Sequence, residues 1–227
     1  MLPAFLHPVR RGFAAGAAVL AALVLLAPLA DQDGFGWYFA AIAGMVPLFG
    51  WAAGGAVPAR AADVPARTWL AGLGLAAGAL SAGLAALCWA GTLLLWRADP
   101  PDARFSSFVI TVGERMLTDT SGRPHLAAGS ETTALTWAGT YLVFAALFLC
   151  TAVAGAALGA VRAAWGAPAL AGLLLAVFAA WLGSLWLALS TDLPGIRAPW
   201  PGVFLFTIPI GVIAAALLVR AVTRIEP

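Results

Sequence analysis

The chain has 227 residues, 63% of them hydrophobic and 10% charged, with a mean hydropathy of +0.96, whereas soluble domains carry about 25% charged residues. An ordinary soluble domain is therefore excluded, and the length accommodates about six apolar spans of roughly 20 residues with short connections. The formal charge of +2 comes from arginines against ten acids, with no lysine anywhere. The missing amine excludes a retinal or pyridoxal Schiff base and a Walker A nucleotide site, and the basic balance is too small for a nucleic-acid partner.

In chain order, MLPAFLHPVRRGF sets a basic flank before an apolar run, as a signal peptide does. Ala27-Pro28-Leu29-Ala30 followed by Asp31 is a poor cleavage site, however, and the run is long enough to cross a bilayer. Residues 13–30 are read as a retained first helix. Further spans are predicted at 37–57, 69–96, 133–161, 167–190 and 200–222, which makes the chain one all-α, polytopic six-helix transmembrane domain. Apart from Arg220 near the end of the last, none of the six contains Asp, Glu, Arg or His. Ionisable groups at depth are costly and mark ion paths and chemistry, so their absence argues against both. Trp37, Trp69, Trp96, Trp137, Trp165 and Trp200 fall at or near span ends, where indoles favour the membrane interface.

Arginine placement predicts the orientation, because cytoplasmic flanks retain positive charge. With the N-terminus inside, Arg10, Arg11, Arg60, Arg67, Arg162, Arg220 and Arg224 are cytoplasmic; Arg97, Arg104, Arg115, Arg123 and Arg197 are outside. Both termini are then cytoplasmic, and the alanine-, glycine- and arginine-rich composition points to a bacterial inner membrane. Gly12/Gly16, Gly50/Gly54, Gly74/Gly78 and Gly155/Gly159 each make a GxxxG spacing that lets helices approach closely in lipid, within the bundle or between subunits. Pro28, Pro47 and Pro209 lie inside spans and are expected to kink them.

Two connections carry polar residues. The extracytoplasmic segment 97–132 begins Asp99-Pro100-Pro101-Asp102 and ends with Ser121-Gly122-Arg123-Pro124, both chain-breaking. Between them, Phe105, Phe108, Val109, Val112 and Met116 are spaced as on one helix face, while Phe108, Ile110 and Val112 alternate as in a strand; helix and strand both stay open. The shorter connection, PARAADVPART at 58–68, is predicted cytoplasmic. Its Arg60, Asp63 and Arg67 would share one face of a short helix, either merely solvated or suited to docking a soluble partner.

Catalytic constellations are missing. His7 and His125 lie outside the spans, which argues against bis-histidine haem. Glu114 and His125 are eleven residues apart in a Pro- and Gly-containing loop and read as solvated rather than as a metal or acid–base pair. Cys88 and Cys150 fall inside apolar stretches and read as small buried hydrophobes. Thr92, Thr140, Tyr141, Thr151, Ser184 and Thr207 are hydroxyls that could line a polar path, with no charge among them. No enzyme activity, metal or cofactor is expected on this chain.

Six spans with both ends inside and a short charged loop after the second resemble the ABC-2 type permease subunits of bacterial ABC transporters. Two stretches add to this. Ala154-Gly155-Ala156-Ala157-Leu158-Gly159-Ala160-Val161-Arg162-Ala163-Ala164-Trp165-Gly166 is similar to the exit from the fourth span in small permeases of this type, and Leu217-Leu218-Val219-Arg220-Ala221 to their C-terminal end. The N-terminal segment is too short for the amphipathic elbow helix that many of them carry, and the loop between spans three and four is long. The resemblance implies transport driven by an ATP-binding subunit in trans and a second permease subunit, identical or not. Arg60, Asp63 and Arg67 would form the coupling loop, with Arg162 and Trp165 as a smaller contact. The competing expectation is a non-catalytic accessory or assembly subunit of a larger membrane complex; an independent ion-coupled carrier is a third.

Overall fold

Apolar runs rich in alanine and leucine build the helices, some of them with proline or glycine inside. The computed structural model describes residues 9–30, 41–98, 116–118, 124–126, 132–190 and 199–225. Helix α1 is Arg10–Ala30. A π-helical turn, Ala41–Met45, leads directly into α2, Val46–Ala53. Pro47 can neither donate to the carbonyl four residues back nor sit close to it, and the wider turn just before it accommodates that crowding. Gly54 and Gly55 close α2 through bonds to Trp51 O (3.1 Å) and Ala52 O (3.0 Å). Short α3, Ala56–Ala61, and long α4, Ala66–Ala98, follow.

β1, Met116–Thr118, and β2, Pro124–Leu126, pair antiparallel with Leu117 opposite His125. This small ladder is an addition to the expected all-α architecture. Met116 lies in it rather than on a helical stripe, while residues 105–112 fall outside the described residues. Helix α5, Ala134–Ser190, opens on a reciprocal cap in which Thr136 N donates to Thr133 Oγ1 (3.3 Å) and Thr133 N to Thr136 Oγ1 (2.9 Å). It is broken at Gly166 (φ 82°, ψ −178°), with Pro168 just beyond. The expected gap between residues 161 and 167 is thus a single-residue joint between two arms. Helix α6 is Pro199–Arg224.

The first arm of α5, residues 134–165, is the central column, touched by α2, α4 and α6. Its contact with α2 is backbone against backbone. A β-carbon at Gly155 would overlap the Val46 carbonyl, one at Gly159 would overlap the Gly50 carbonyl, and one at Gly50 would stand 3.2 Å from Gly155 O. Helix α1 packs on α2 with larger side chains seated over glycines: Trp51 over Gly12, Leu48 over Gly16 and Leu20 over Gly44. The Phe13 and Phe49 rings meet edge to face at 5.3 Å. Trp89 Nε1 donates to Trp137 O (2.9 Å) and Tyr141 OH to Ala82 O (3.4 Å), tying α4 to α5. On the other side, Gly211 of α6 faces the Cys150 sulfur.

These pairs also set helix directions. Ascending order in α1 meets descending order in α2, as does α4 against α5, whereas α2 runs alongside the first arm of α5. Helices α1 and α4 therefore point one way, and α2 and the first arm of α5 the other.

The interior is unusual in its sizes. Phe49, Phe144, Phe148, Met45, Leu84 and Trp69 are fully buried, but much of the remaining core is alanine, including Ala52, Ala53, Ala85, Ala152, Ala156, Ala160 and Ala221. Large apolar side chains face outward instead, with Leu135 82% and Leu94 67% exposed. Trp69 lies at the start of α4 as expected of an interfacial indole, yet it is buried between helices rather than displayed.

The glycine expectations divide. Gly50, Gly155 and Gly159 pack together, as do Gly12 and Gly16 with their partners. Gly54 sits in a turn, and Gly74 and Gly78 have open space where a β-carbon would stand, so neither packs within this chain. Gly159→Leu is expected to cost at least about 1–3 kcal/mol by overpacking, and Gly78→Leu less than about 0.5 kcal/mol. Thermal unfolding in mild detergent measures both, and equal destabilisation by the two would contradict this packing.

Candidate functional site

The short connection after α3 folds as a corner rather than as one helix. Ala62 N donates to Pro58 O (3.1 Å) and Ala59 O (3.2 Å), and Val64 N reaches back to Ala59 O (3.0 Å). With Asp63 in the left-handed region (φ 57°), this is the Schellman closure of a helix, with aspartate where glycine is usual. Val64 turns inward onto the core, and α4 restarts after Pro65, with Trp69 N donating to Pro65 O (3.1 Å). Arg60 therefore belongs to α3, Asp63 to the corner and Arg67 to the first turn of α4. The expected common helical face for these three is broken by the left-handed residue between them.

The structure nevertheless gathers this corner with the other expected site residues. Helix α3 touches both α4 and α5, and Arg162 and Trp165 lie on the last turn of the first α5 arm, both exposed. They share one helix face, three residues apart. Gly166 then breaks the helix in a backbone region that is essentially glycine-only. Its need is torsional, since the nearest atom to a β-carbon there would be Pro168 Cδ at an ordinary 3.7 Å.

The helix contacts define a common level. Counting outward from Gly12 on Trp51, Gly159 on Gly50 and Tyr141 on Ala82 brings Arg10, Arg11, Arg67 and Arg162 to one end of the bundle, within about two helical turns. All four are exposed, as are Arg220 and Arg224 of α6. No acid stands in the first turn of α1 or α4 to offset Arg10, Arg11 or Arg67. In sequence, the seven arginines expected on the cytoplasmic side, Arg60 and the six exposed ones, stand against Asp63 and Glu226, a formal +5. In sequence, residues 31–40, 97–133 and 191–198 hold five arginines against eight acids, a formal −3. Arginine counting by itself misses most of this polarity, because six of the eight charges that separate the two groups come from where the acids are.

Hydroxyls in the interior are turned onto their own helices. Thr92 Oγ1 donates to Cys88 O (2.8 Å), Thr140 Oγ1 to Thr136 O (3.0 Å), and Thr151 Oγ1 to Leu147 O (2.8 Å) and Phe148 O (3.0 Å). Ser81 is buried without a partner for its hydroxyl. Of the other hydroxyls considered for a polar path, Tyr141 ties helices together, and the Ser184 and Thr207 side chains lie outside the described residues. Cys88 and Cys150 are free thiols, Cys88 buried and Cys150 half-buried. Among the described residues no group of three or more His, Cys, Asp or Glu is placed to hold a metal ion; His7 and Glu114 lie outside them.

No protein-family model, curated protein or solved structure matches the chain.

Two backbone tests follow from this geometry. Asp63→Gly is expected to be neutral or slightly stabilising, while Asp63→Val costs about 1–2 kcal/mol because a left-handed conformation penalises the branched side chain. Gly166→Ala is expected to cost about 1–3 kcal/mol. Chemical or thermal denaturation in detergent reads each one, and a stabilising Gly166→Ala would contradict the assigned torsion.

Proposed function

We propose that the protein is a multi-pass subunit of a bacterial inner membrane whose energy arrives from a separate ATP-binding subunit, in the manner of an ABC-type permease. Three observations support the membrane part. Two helices, Ala66–Leu94 and Ala134–Val177, are long and apolar enough to cross a membrane. Small residues line the helix contacts while leucine, valine and isoleucine face outward, which suits packing in lipid, where apolar surface need not be hidden. The 57 residues of α5 would reach about 85 Å if straight, against roughly 30 Å of hydrocarbon. The Gly166 joint then divides it into two crossings, giving six with alternating directions.

In this reading the arginine-rich end is cytoplasmic, both termini lie there, and the segment between α4 and α5 is extracytoplasmic. The single observation that carries the functional part is the separation of charge from the spans. The described helices hold their ionisable groups near their ends, and the +5 end collects Arg60, Asp63, Arg162 and Trp165 around the α3–α4 corner, bordered by Arg67. That surface is the docking face for the ATPase. A second permease subunit, the same chain or another, would complete the path, because the described residues of one copy offer tightly packed glycine contacts and internally bonded hydroxyls rather than a lined passage.

The alternative of a non-catalytic accessory subunit is favoured by the same closed interior and by the outward-facing Gly74 and Gly78, which leave a helix face for a larger partner. Purification in mild detergent followed by mass spectrometry separates the two. The permease reading expects a P-loop ATPase to copurify, and Arg60→Glu with Arg162→Glu to abolish that association while the unfolding temperature stays within about 2–4 °C. Copurification with a redox, secretion or envelope enzyme instead supports the accessory subunit. Substrate uptake by the isolated chain in liposomes contradicts both.

A further inference from the structure

We propose that the starts of α1 and α4 form a seat for anionic phospholipid headgroups, held by Arg10, Arg11 and Arg67. The inference rests on the membrane placement proposed above and assigns these arginines a partner distinct from the ATPase.

Helices α1 and α4 touch each other and run in the same direction, so their first turns stand at the same end. Each first turn presents arginine to the exterior, Arg10 and Arg11 on one helix and Arg67 on the other. Neither first turn contains an acid. Asp63, the one acid among the described residues, sits at the corner before α4, leaving three guanidiniums against a single carboxylate. A guanidinium is weakly hydrated and offers a planar fork of donors that matches phosphate oxygens.

The surface below the arginines selects an amphiphile over a purely soluble anion. Val19 and Leu23 on α1, and Leu75 on α4, are 60%, 51% and 49% exposed. They continue toward the bundle centre from the helix starts that carry the charge. A phosphate group paired with arginine thus leaves its acyl chains against uncovered apolar side chains, two complementarities that one lipid meets together. A soluble protein would use only the first.

The test reconstitutes the full-length protein in nanodiscs of phosphatidylcholine alone or mixed with phosphatidylglycerol. Lipid retained on re-extraction is then counted by native mass spectrometry. The expected result is preferential retention of phosphatidylglycerol, reduced about fivefold for each arginine changed among Arg10→Gln, Arg11→Gln and Arg67→Gln, and about a hundredfold for all three. Lysine at the same positions should preserve most of the preference, and Arg97→Gln at the opposite end should leave it intact. Inorganic phosphate at millimolar concentration should not displace the lipid. Equal retention of the two lipids, full preference in the triple glutamine variant, or displacement by phosphate would overturn the seat. Failure of the wild-type protein to enter either nanodisc would overturn the membrane reading and the seat with it.

Discussion

The contact of Gly50 with Gly155 and Gly159 is the constraint on which the rest of the bundle depends. Carbonyl groups of α2 lie against α-carbons of α5, a separation that no side chain at these positions permits. Such proximity gains dispersion and weak Cα–H···O contacts along the whole seam. Once α2 is fixed at that distance, Phe49 meets Phe13 and Trp51 and Leu48 close over the glycines of α1. The opposite flank of α5 receives α4 and α6 through longer side chains and single hydrogen bonds. The interior is accordingly tightest where the residues are smallest.

That geometry has a functional consequence through levels. Because the seam sets α2 against α5 residue by residue, and the other contacts tie α1 and α4 to the same frame, Arg10, Arg11, Arg67 and Arg162 fall in one layer. None of those side chains is near another in sequence except Arg10 with Arg11. A polar end and a charge-free middle thus come from packing as much as from composition. The basic end carries the corner at α3, where a left-handed aspartate turns the chain and which we propose as the docking face, and a separate pair of arginine-bearing helix starts at α1 and α4.

Much of this was legible in the sequence, and the failures have physical reasons. Helix positions followed from apolar runs, and so did a gap between residues 161 and 167, within which Gly166 breaks the helix through a local torsion that needs no tertiary partner. The Gly155/Gly159 spacing was readable for the same reason, but spacing does not say which face a helix turns inward. Gly74 and Gly78 have the same pattern and face outward. Trp69 follows the rule for interfacial indoles in position yet is buried, since its fate depends on neighbouring helices. Arg60, Asp63 and Arg67 fit helical spacing, but spacing carries no sign of Asp63 adopting a positive φ. The β1–β2 ladder was not foreseen: the strand alternation lies at residues 108–112, outside the described residues, and three-residue strands are too short to show a period. The polarity of the bundle needed the acids as well as the arginines.

The central claim is a membrane bundle whose arginine-rich end faces the cytoplasm and whose opposite end faces out. It is tested most directly by single-cysteine labelling in intact bacterial cells, using a Cys88→Ala, Cys150→Ala background. An Ala62→Cys variant reports the α3–α4 corner and a Ser121→Cys variant the segment between α4 and α5. A membrane-impermeant maleimide should label the cysteine at 121 in intact cells and the one at 62 only after permeabilisation. Labelling of both positions from the same side, or of 62 alone in intact cells, would contradict this orientation.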